Sequence, residues 1–445
     1  MPESARGSFS WTLNAGSGVV APDERLPMGQ TIVAGLQHAI VMFGATVLCP
    51  LLIGFDANVA IFFSGVGTLV FFICVGGRVP SYLGSSFSFI AVIVTVTAYT
   101  GQGHNPNIPM ALGGIIAAGV LYTVIALIVI AIGYAWVERL MPPPVTGAIV
   151  AVIGLNLAPV AIKQAGGSAL DTWVALATVI GIGLVAVSSG GLLRRVPVLA
   201  GGALGYVLYV LMTNGLGWGK PVDFGPLATA AWVGWPHFVT PQFDARAVVL
   251  IAPVAIVLVA ENLGHIKAIG AMTGRSLDGY LGRAFLGDGI ATMIAGSGGG
   301  SGVTTYAENI GVMAVTGIYS TLIFPVAAVA AMVLGLSPKF GALIQTIPTP
   351  VIGGLSLVVF GLIAATAGRI WVEARVDFSD PRNLVTTAVT LIAGSGDMTL
   401  HFGEFNLTGI GTATLCAVVL YQLLGWRRRA PAQPPSHRQN QPNPQ

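Results

Sequence analysis

Fourteen apolar runs follow one another along this chain, and very little charge interrupts them. They lie near residues 30–54, 58–75, 82–99, 110–133, 143–165, 172–189, 196–217, 247–270, 281–297, 303–317, 318–337, 341–368, 383–397 and 406–425. Only 8% of the 445 residues are charged, against roughly 25% in a soluble domain. The pattern excludes a soluble globule and predicts a polytopic helical membrane protein, in which helices satisfy their own backbone polar groups. Runs 82–99, 303–317 and 383–397 fall short of the roughly 20 residues a full crossing needs.

Basic residues support fourteen crossings. With both termini on the cytoplasmic side, the inner loops and helix ends hold Arg78, Arg139, Arg194, Arg195, Lys267, Arg275, Arg283, Arg369, Arg375, Arg382 and the Arg427, Arg428, Arg429 cluster. The outer ones hold only Lys163, Lys220, Arg246 and Lys339. That asymmetry is the positive-inside pattern, and removing one segment would scramble it. The net charge of +3 is small and the basic residues are scattered, so no nucleic-acid partner is expected. Cys49, Cys74 and Cys416 all fall in apolar runs and read as small core residues, supporting no disulfide or metal site. Residues 1–27 are polar and lack the apolar stretch of a cleaved signal. Residues 427–445, rich in Pro, Gln and Arg, read as a disordered tail.

The chain also repeats itself. Pro144-Val145-Thr146-Gly147 leads to Gly154-Leu155, and Pro350-Val351-Ile352-Gly353 leads to Gly361-Leu362, one residue later in register. These motifs sit in segments 5 and 12. A shift of seven segments is odd, so the second half enters the membrane from the opposite side, as an inverted repeat. Segments 3 and 10 are likewise seven apart. One opens with Tyr82-Leu83-Gly84-Ser85-Ser86-Phe87-Ser88-Phe89, the other with Val303-Thr304-Thr305-Tyr306-Ala307-Glu308 after Ser301-Gly302. Partial alternation of polar and apolar residues favours a short extended stretch in each. The two can pair as an antiparallel ribbon, each strand feeding a half-helix whose free N–H groups point inward. The competing reading is two ordinary helices packed through small residues.

Two glutamates stand at membrane depth. Glu261 ends the apolar run 247–260, and Glu308 interrupts 303–315 after the glycine-rich stretch 296–302. An intramembrane carboxylate costs on the order of 2.5–3.5 kcal/mol on insertion scales, so it usually faces a cavity and works there. His265 lies one turn beyond Glu261 on the same helical face. Two such carboxylates can accept N–H groups from a flat polar ring, half-helix N-termini can donate to its carbonyls, and an aromatic can cover its face. A shared proton between them would couple binding to a proton gradient. His265 could instead bond a helix carbonyl, His38 could be a packing residue, Asn309 could stabilise its half-helix, and Asp288 could pair with a neighbouring helix.

Ala260-Glu261-Asn262-Leu263-Gly264-His265 together with Glu308-Asn309-Ile310-Gly311 through Thr316 resembles nucleobase–cation symporter family 2, the nucleobase–ascorbate transporters. Gln37-His38 and Ser85-Ser86-Phe87 are similar to further motifs of that family, and the resemblance covers about residues 20–425. Glu at position 308, where other members carry Gln, resembles the uracil branch. Pro22-Asp23-Glu24-Arg25-Leu26-Pro27 and Gly300-Ser301-Gly302-Val303 are similar to a pyrimidine-permease group within it. The resemblance implies a bacterial inner-membrane importer of a pyrimidine base, uracil with thymine as a second candidate, driven by protons and working without a cofactor or metal. It implies that Glu261 and Glu308 hold the base, with Phe87, Tyr306 and Ala307 lining the pocket. His265 with Glu261 would couple protons, while Asn309, Gln37, His38 and Ser86 support. Three departures bear on the preferred base. Ala307 stands where Gly is usual, Gly317 where Arg or Lys is common, and 298–302 is unusually glycine-rich.

The expected fold class is an all-α membrane protein, a seven-plus-seven inverted repeat with short antiparallel strands in segments 3 and 10. The expected domains are a polar segment 1–27, a core domain 28–133 and 247–337, a gate domain 134–217 and 338–426, an extracytoplasmic loop 218–246 and the tail 427–445, within a homodimer. A purine permease of the same fold is the nearest alternative, and an anion transporter or channel the next. No HExxH, GxSxG or comparable enzyme motif is present.

Overall fold

The computed structural model describes residues 10–14, 18–100, 103–190, 193, 196–402, 405–407 and 409–426. Arg194, Arg195, the cluster at 427–429, the tail 427–445, and residues 1–9 and 15–17 of the polar segment lie outside the described residues.

Strands β1 (Thr12–Leu13) and β2 (Glu24–Arg25) pair in parallel ahead of the first helix. Segment 1 is a helix in two pieces, α1 (Met28–Val41) and α2 (Phe43–Ile53), and segment 2 is α3 (Ala57–Cys74), capped by the Asp56 carboxylate on the Asn58 N–H. Segment 3 is split into β3 (Leu83–Ser85), a 3-10 turn at Phe87–Phe89 and the short α4 (Ile90–Thr97). Then come α5 (Ile108–Ile132), α6 (Ala135–Leu140), α7 (Pro143–Asn156), α8 (Ala158–Ala165), α9 (Ala169–Ser188), α10 (Pro197–Val210) and the surface helix α11 (Gly225–Thr229).

The second half opens with α12 (Ala245–Ile251) and α13 (Val254–Thr273), divided next to Pro253, and α14 (Leu281–Gly298). Segment 10 repeats the split, with β4 (Val303–Thr305) followed by α15 (Ala307–Thr316). The chain closes with α16 (Ile323–Gly335), α17 (Pro338–Gln345), α18 (Thr349–Glu373), α19 (Pro381–Ser395), the hairpin β5 (Leu400–Phe402) and β6 (Phe405–Leu407), and α20 (Gly409–Trp426).

Every apolar segment thus carries helix, but helix length separates them. Among the described residues eight helices are long and apolar enough to cross a membrane, or nine if α16 and α17, bent by 79°, form one span. The shortfall against fourteen has local causes. Segments 3 and 10 give their first residues to strands. Segment 14 gives its start to the hairpin. In α14, Arg283, Asp288 and several glycines dilute the apolar run. Segment 12 also begins differently from the expectation, because α17 is a separate short helix that Pro348 keeps apart from α18.

Small residues set how closely the helices approach. A Cβ on Gly119 of α5 would lie 2.8 Å from the Gly289 carbonyl of α14, so the two helices touch backbone to backbone. Such contacts drive helix association where the solvent is itself apolar. Helices α7 and α18, which carry the repeated Pro-Val-x-Gly motifs, pack against each other, with Gly154 against the Phe360 carbonyl.

At the end of α13, Lys267 bridges Glu138 of α6 (2.8 Å) and Asp278 (2.6 Å), and the Tyr134 hydroxyl donates to Asp278 at 2.9 Å. Partial burial works against the Asp278 charge, but the Lys267 ammonium and the Tyr134 hydroxyl outweigh it and hold the carboxyl below its usual range. A depressed carboxyl stabilises the fold above its unfolded pKa, about 4, and that contribution is lost as pH falls through the folded value. Asp278→Asn is expected to lower the melting temperature in detergent at pH 7 by up to about 3 °C. The gap to wild type should narrow as the pH drops below about 4, measured by thermal melts across pH.

Candidate functional site

The site is organised by the ribbon of β3 and β4, which pair antiparallel with Leu83 opposite Thr305, Gly84 opposite Thr304 and Ser85 opposite Val303. All six residues are buried. A two-stranded sheet has two open edges, and an interior buried among apolar helices offers no bulk water to satisfy them. Neighbouring threonines do so instead. Thr68 of α3 accepts the Leu83 N–H at 2.9 Å, and Thr292 of α14 donates to the Val303 carbonyl at 3.1 Å. The Ser86 N–H continues the pairing to the Gly302 carbonyl at 2.9 Å, and the Tyr306 N–H to the Tyr82 carbonyl at 3.0 Å. Gly84 admits the Tyr306 ring, because a Cβ there would fall 2.4 Å from its nearest atom.

Beyond the ribbon each strand turns into a short helix, and the candidate residues cluster at these turns. Phe87 is buried and meets Phe360 of α18 edge-on, with ring centroids 5.7 Å apart. Ser86 accepts the Ser88 N–H at 3.3 Å. On the other strand Tyr306 is buried, and its hydroxyl accepts from Thr46 of α2 at 2.9 Å and donates to the Ser85 carbonyl at 3.0 Å. Ala307 exposes its side chain, and Glu308 follows half-buried in the first turn of α15. A helix N-terminus carries partial positive charge and unsatisfied N–H groups, which suit an acidic or carbonyl oxygen.

Helix α13 runs past the ribbon. Glu261 receives the Ser88 hydroxyl at 3.4 Å and stands within electrostatic reach of Glu308. His265, one turn on, bonds the Thr305 hydroxyl of β4 through Nδ1 at 2.8 Å. The imidazole is therefore fastened to the ribbon, and its partner is the Thr305 hydroxyl, neither a helix carbonyl nor Glu261. The same helix turns Asn262 the other way, where Nδ2 donates to Asp288 of α14 at 2.7 Å and to the Tyr122 hydroxyl at 3.0 Å. Asp288 is fully buried and pairs with the neighbouring helix in this way.

Asn309 and His38 meet away from the two carboxylates. Asn309 Nδ2 reaches both Nδ1 and the carbonyl of His38 at 3.0 Å, which ties α15 to α1, while Phe324 tilts against the imidazole. Gln37 is buried beside His38 on α1. Cys49, Cys74 and Cys416 are free thiols. A small cavity of about 30 Å³ reaches Ser88 from the side of Asp397 and Gly409, between α4, the α12–α13 break and the start of α20. It holds room for about one water.

Ser88 and Thr305, the direct partners of Glu261 and His265, were not singled out in the sequence. Both belong to the small polar stretches 82–89 and 303–308, whose alternation is the sequence signal for them.

Residues 29–403 match the family model described as "Permease family" (Xan_ur_permease). The chain belongs to this permease family. It is 61% identical over 419 residues to a protein named putative pyrimidine permease RutG from Escherichia coli (strain K12), covering 94% of this chain and 95% of that one. It is 41% identical to a uracil permease of Bacillus caldolyticus, with 92% and 95% covered. Among solved structures, the transmembrane domain of the cyanobacterial bicarbonate transporter BicA superposes with a TM-score of 0.60 at 16% identity, covering 88% of this chain and 97% of that one. The murine Slc26a9 anion transporter in its inward-facing state gives 0.66 at 11% identity, covering 89% and 68%. At these identities the two structures share the fold with this permease and nothing more specific.

Tyr306→Phe keeps the ring and leaves the Ser85 carbonyl and Thr46 hydroxyl without their partner. It is expected to destabilise the protein by about 1–3 kcal/mol, read as a lower denaturant midpoint in detergent micelles.

Proposed function

We propose that this permease imports a pyrimidine base, uracil foremost, together with protons. The observation that carries the reading is the convergence of Glu261, Glu308, Phe87 and Tyr306 on a ribbon whose strands open into half-helices. The names of the relatives, pyrimidine permease and uracil permease, point the same way. Uracil presents two N–H donors and two carbonyl acceptors around a flat ring. Glu261 and Glu308 accept the N–H groups, the backbone N–H groups near Phe87 and Ala307 donate to the carbonyls, and Phe87 covers a face. A site that needs all these partners rejects analogues lacking them, since its polar groups would be left unpaired. Proton exchange falls to the Glu261–His265 turn, while Ser86, Gln37, His38 and Asn309 hold the frame.

The proposed architecture is fourteen spans in two inverted halves. Its support is that segments seven apart meet one another: β3 pairs with β4, and α7 packs on α18. Residues 28–133 and 247–337 form the core domain and 134–217 and 338–426 the gate, with 218–246 outside and both termini in the cytoplasm of a bacterial cell with an inner membrane. The Phe87–Phe360 contact then lies between core and gate. Two copies of the chain would form a homodimer. An anion as substrate is disfavoured by the two carboxylates, although both solved fold neighbours named above carry anions in their descriptions.

Glu261→Gln and Glu308→Gln are each expected to cut uptake of labelled uracil at least about ten-fold, as a lost charged acceptor in a buried site does, with the protein still inserted and monodisperse. Normal uptake by both variants sinks the proposal. In a competition panel, unlabelled uracil and thymine should displace the label and xanthine should not, and collapsing the proton gradient should abolish accumulation.

A further inference from the structure

The Pro22-Asp23-Glu24-Arg25-Leu26-Pro27 motif has no part in the base site, yet the structure binds it tightly to both helices that carry the site carboxylates. Helix α15, which begins beside Glu308, ends at Gly317 in a left-handed turn with φ of 65°. The Val20 N–H donates to the Gly317 carbonyl at 2.8 Å, and the Val20 carbonyl accepts the Tyr319 N–H at 2.8 Å. The Pro22 carbonyl takes both the N–H and the hydroxyl of Thr321, each at 3.1 Å. Helix α13, which carries Glu261 and His265, ends at Gly274, and the next residue, Arg275, pairs with the Asp23 carboxylate at 2.5 Å. One short stretch, residues 20–23, therefore fastens the ends of both helices.

The stretch is itself held in shape. The Glu24 carboxylate accepts the Ala21 N–H at 3.0 Å and the Asn14 amide at 2.8 Å. Residues 12–13 pair in parallel along Glu24 and Arg25. Trp11 donates to the Thr321 hydroxyl at 2.8 Å and stacks on Phe72 of α3, with centroids 6.2 Å apart. Val20 is 1% exposed, so the strap is seated in the protein and does not merely lie over it.

We infer that this strap is a brace that sets the spacing of Glu261 and Glu308, with Asp23 and Arg275 as positioning residues for base binding. At 1.5 Å per residue, Glu261 lies about 20 Å along α13 from Arg275, and Glu308 about 13 Å along α15 from Gly317. The ribbon pins the upper end of α15 and touches α13 through His265. The strap pins the opposite ends. α15 is thus held at both ends and α13 at His265 and Arg275, with Glu261 one turn beyond His265; rods held this way present their side chains at one separation, and a two-point hydrogen-bonded site tolerates an error of only about 0.5 Å. With the strap released, α13 can slide or tilt against α15, and the two carboxylates lose their match to one ring.

The inference rests on the reading of Glu261 and Glu308 as the base site, and the test separates the two. Uracil binding to the purified full chain in detergent would be measured by calorimetry for wild type, Asp23→Asn, Arg275→Gln and the charge swap Asp23→Arg with Arg275→Asp. The expected result is a Kd raised roughly three- to ten-fold in each single variant, the usual size of an effect relayed through packed elements, and restored to within about two-fold in the swap. Single variants that bind uracil like wild type, with or without a lower melting temperature, overturn the brace, because a strap that only stabilises leaves the Kd unmoved. A swap that fails to recover binding or fails to fold also overturns it. Absence of uracil binding in wild type itself would instead remove the base-site reading, and the inference with it.

Discussion

A pair of three-residue strands, paired side by side and buried among apolar helices, is the constraint on which the rest of this protein depends. Strands have edges, and hydrocarbon cannot satisfy an edge. The ribbon exists only because Thr68 and Thr292 turn their hydroxyls onto it, Tyr306 closes the gap between Thr46 and Ser85, and Gly84 leaves room for the Tyr306 ring. In return the ribbon interrupts two helices where a continuous helix would have buried every N–H. Two helix starts are thereby opened inside the protein, next to Glu261 and Glu308. The same local violation that makes the fold costly makes a polar site available.

The polar groups around the ribbon fall into two layers that face different ways. One layer, Ser88 with Glu261, Thr305 with His265, and Glu308, surrounds the ribbon's helix starts. The other, Asn262 with Asp288 and Tyr122 on one side and Asn309 with His38 on the other, binds the carrier helices to α14, α5 and α1. Neighbouring residues on one helix serve opposite layers: Glu261 meets Ser88 while Asn262 turns to Asp288 and Tyr122, and on α15 Asn309 turns from Glu308 to His38.

Much of the organisation was legible in the sequence, for identifiable reasons. Partial polar–apolar alternation in the Gly/Ser/Thr stretches favours extended backbone, so β3, β4 and the split of segments 3 and 10 were legible against the alternative of helices packed through small residues. The cost of a membrane carboxylate drew attention to Glu261 and Glu308. What stayed hidden was tertiary. His265 shares a helical face with Glu261, yet its partner is Thr305, which arrives from another segment. Ser88 touches Glu261 across 173 residues of chain, and no local pattern encodes that distance. The hairpin at 400–407 and the sharp α16–α17 bend fall at or between the ends of neighbouring apolar runs, where hydropathy gives no geometry. The 22–27 motif stands out in the sequence, but its polar, proline-flanked residues say nothing of the helix ends they bind, which arrive 252 and 299 residues later.

The ribbon also has a consequence for how the protein is made. Tyr306 and Ser85, joined by a hydrogen bond, are 221 residues apart. At a synthesis rate of roughly 5–20 residues per second, the first strand is in the membrane about 10–45 seconds before its partner leaves the ribosome. Throughout that interval residues 83–85 lack the partner strand that satisfies them in the complete chain, and Thr68 is the first-half hydroxyl that bonds their backbone. The early half of the chain therefore cannot reach its final form by itself, and the ribbon comes into being in one late event, when the second half slots in beside it.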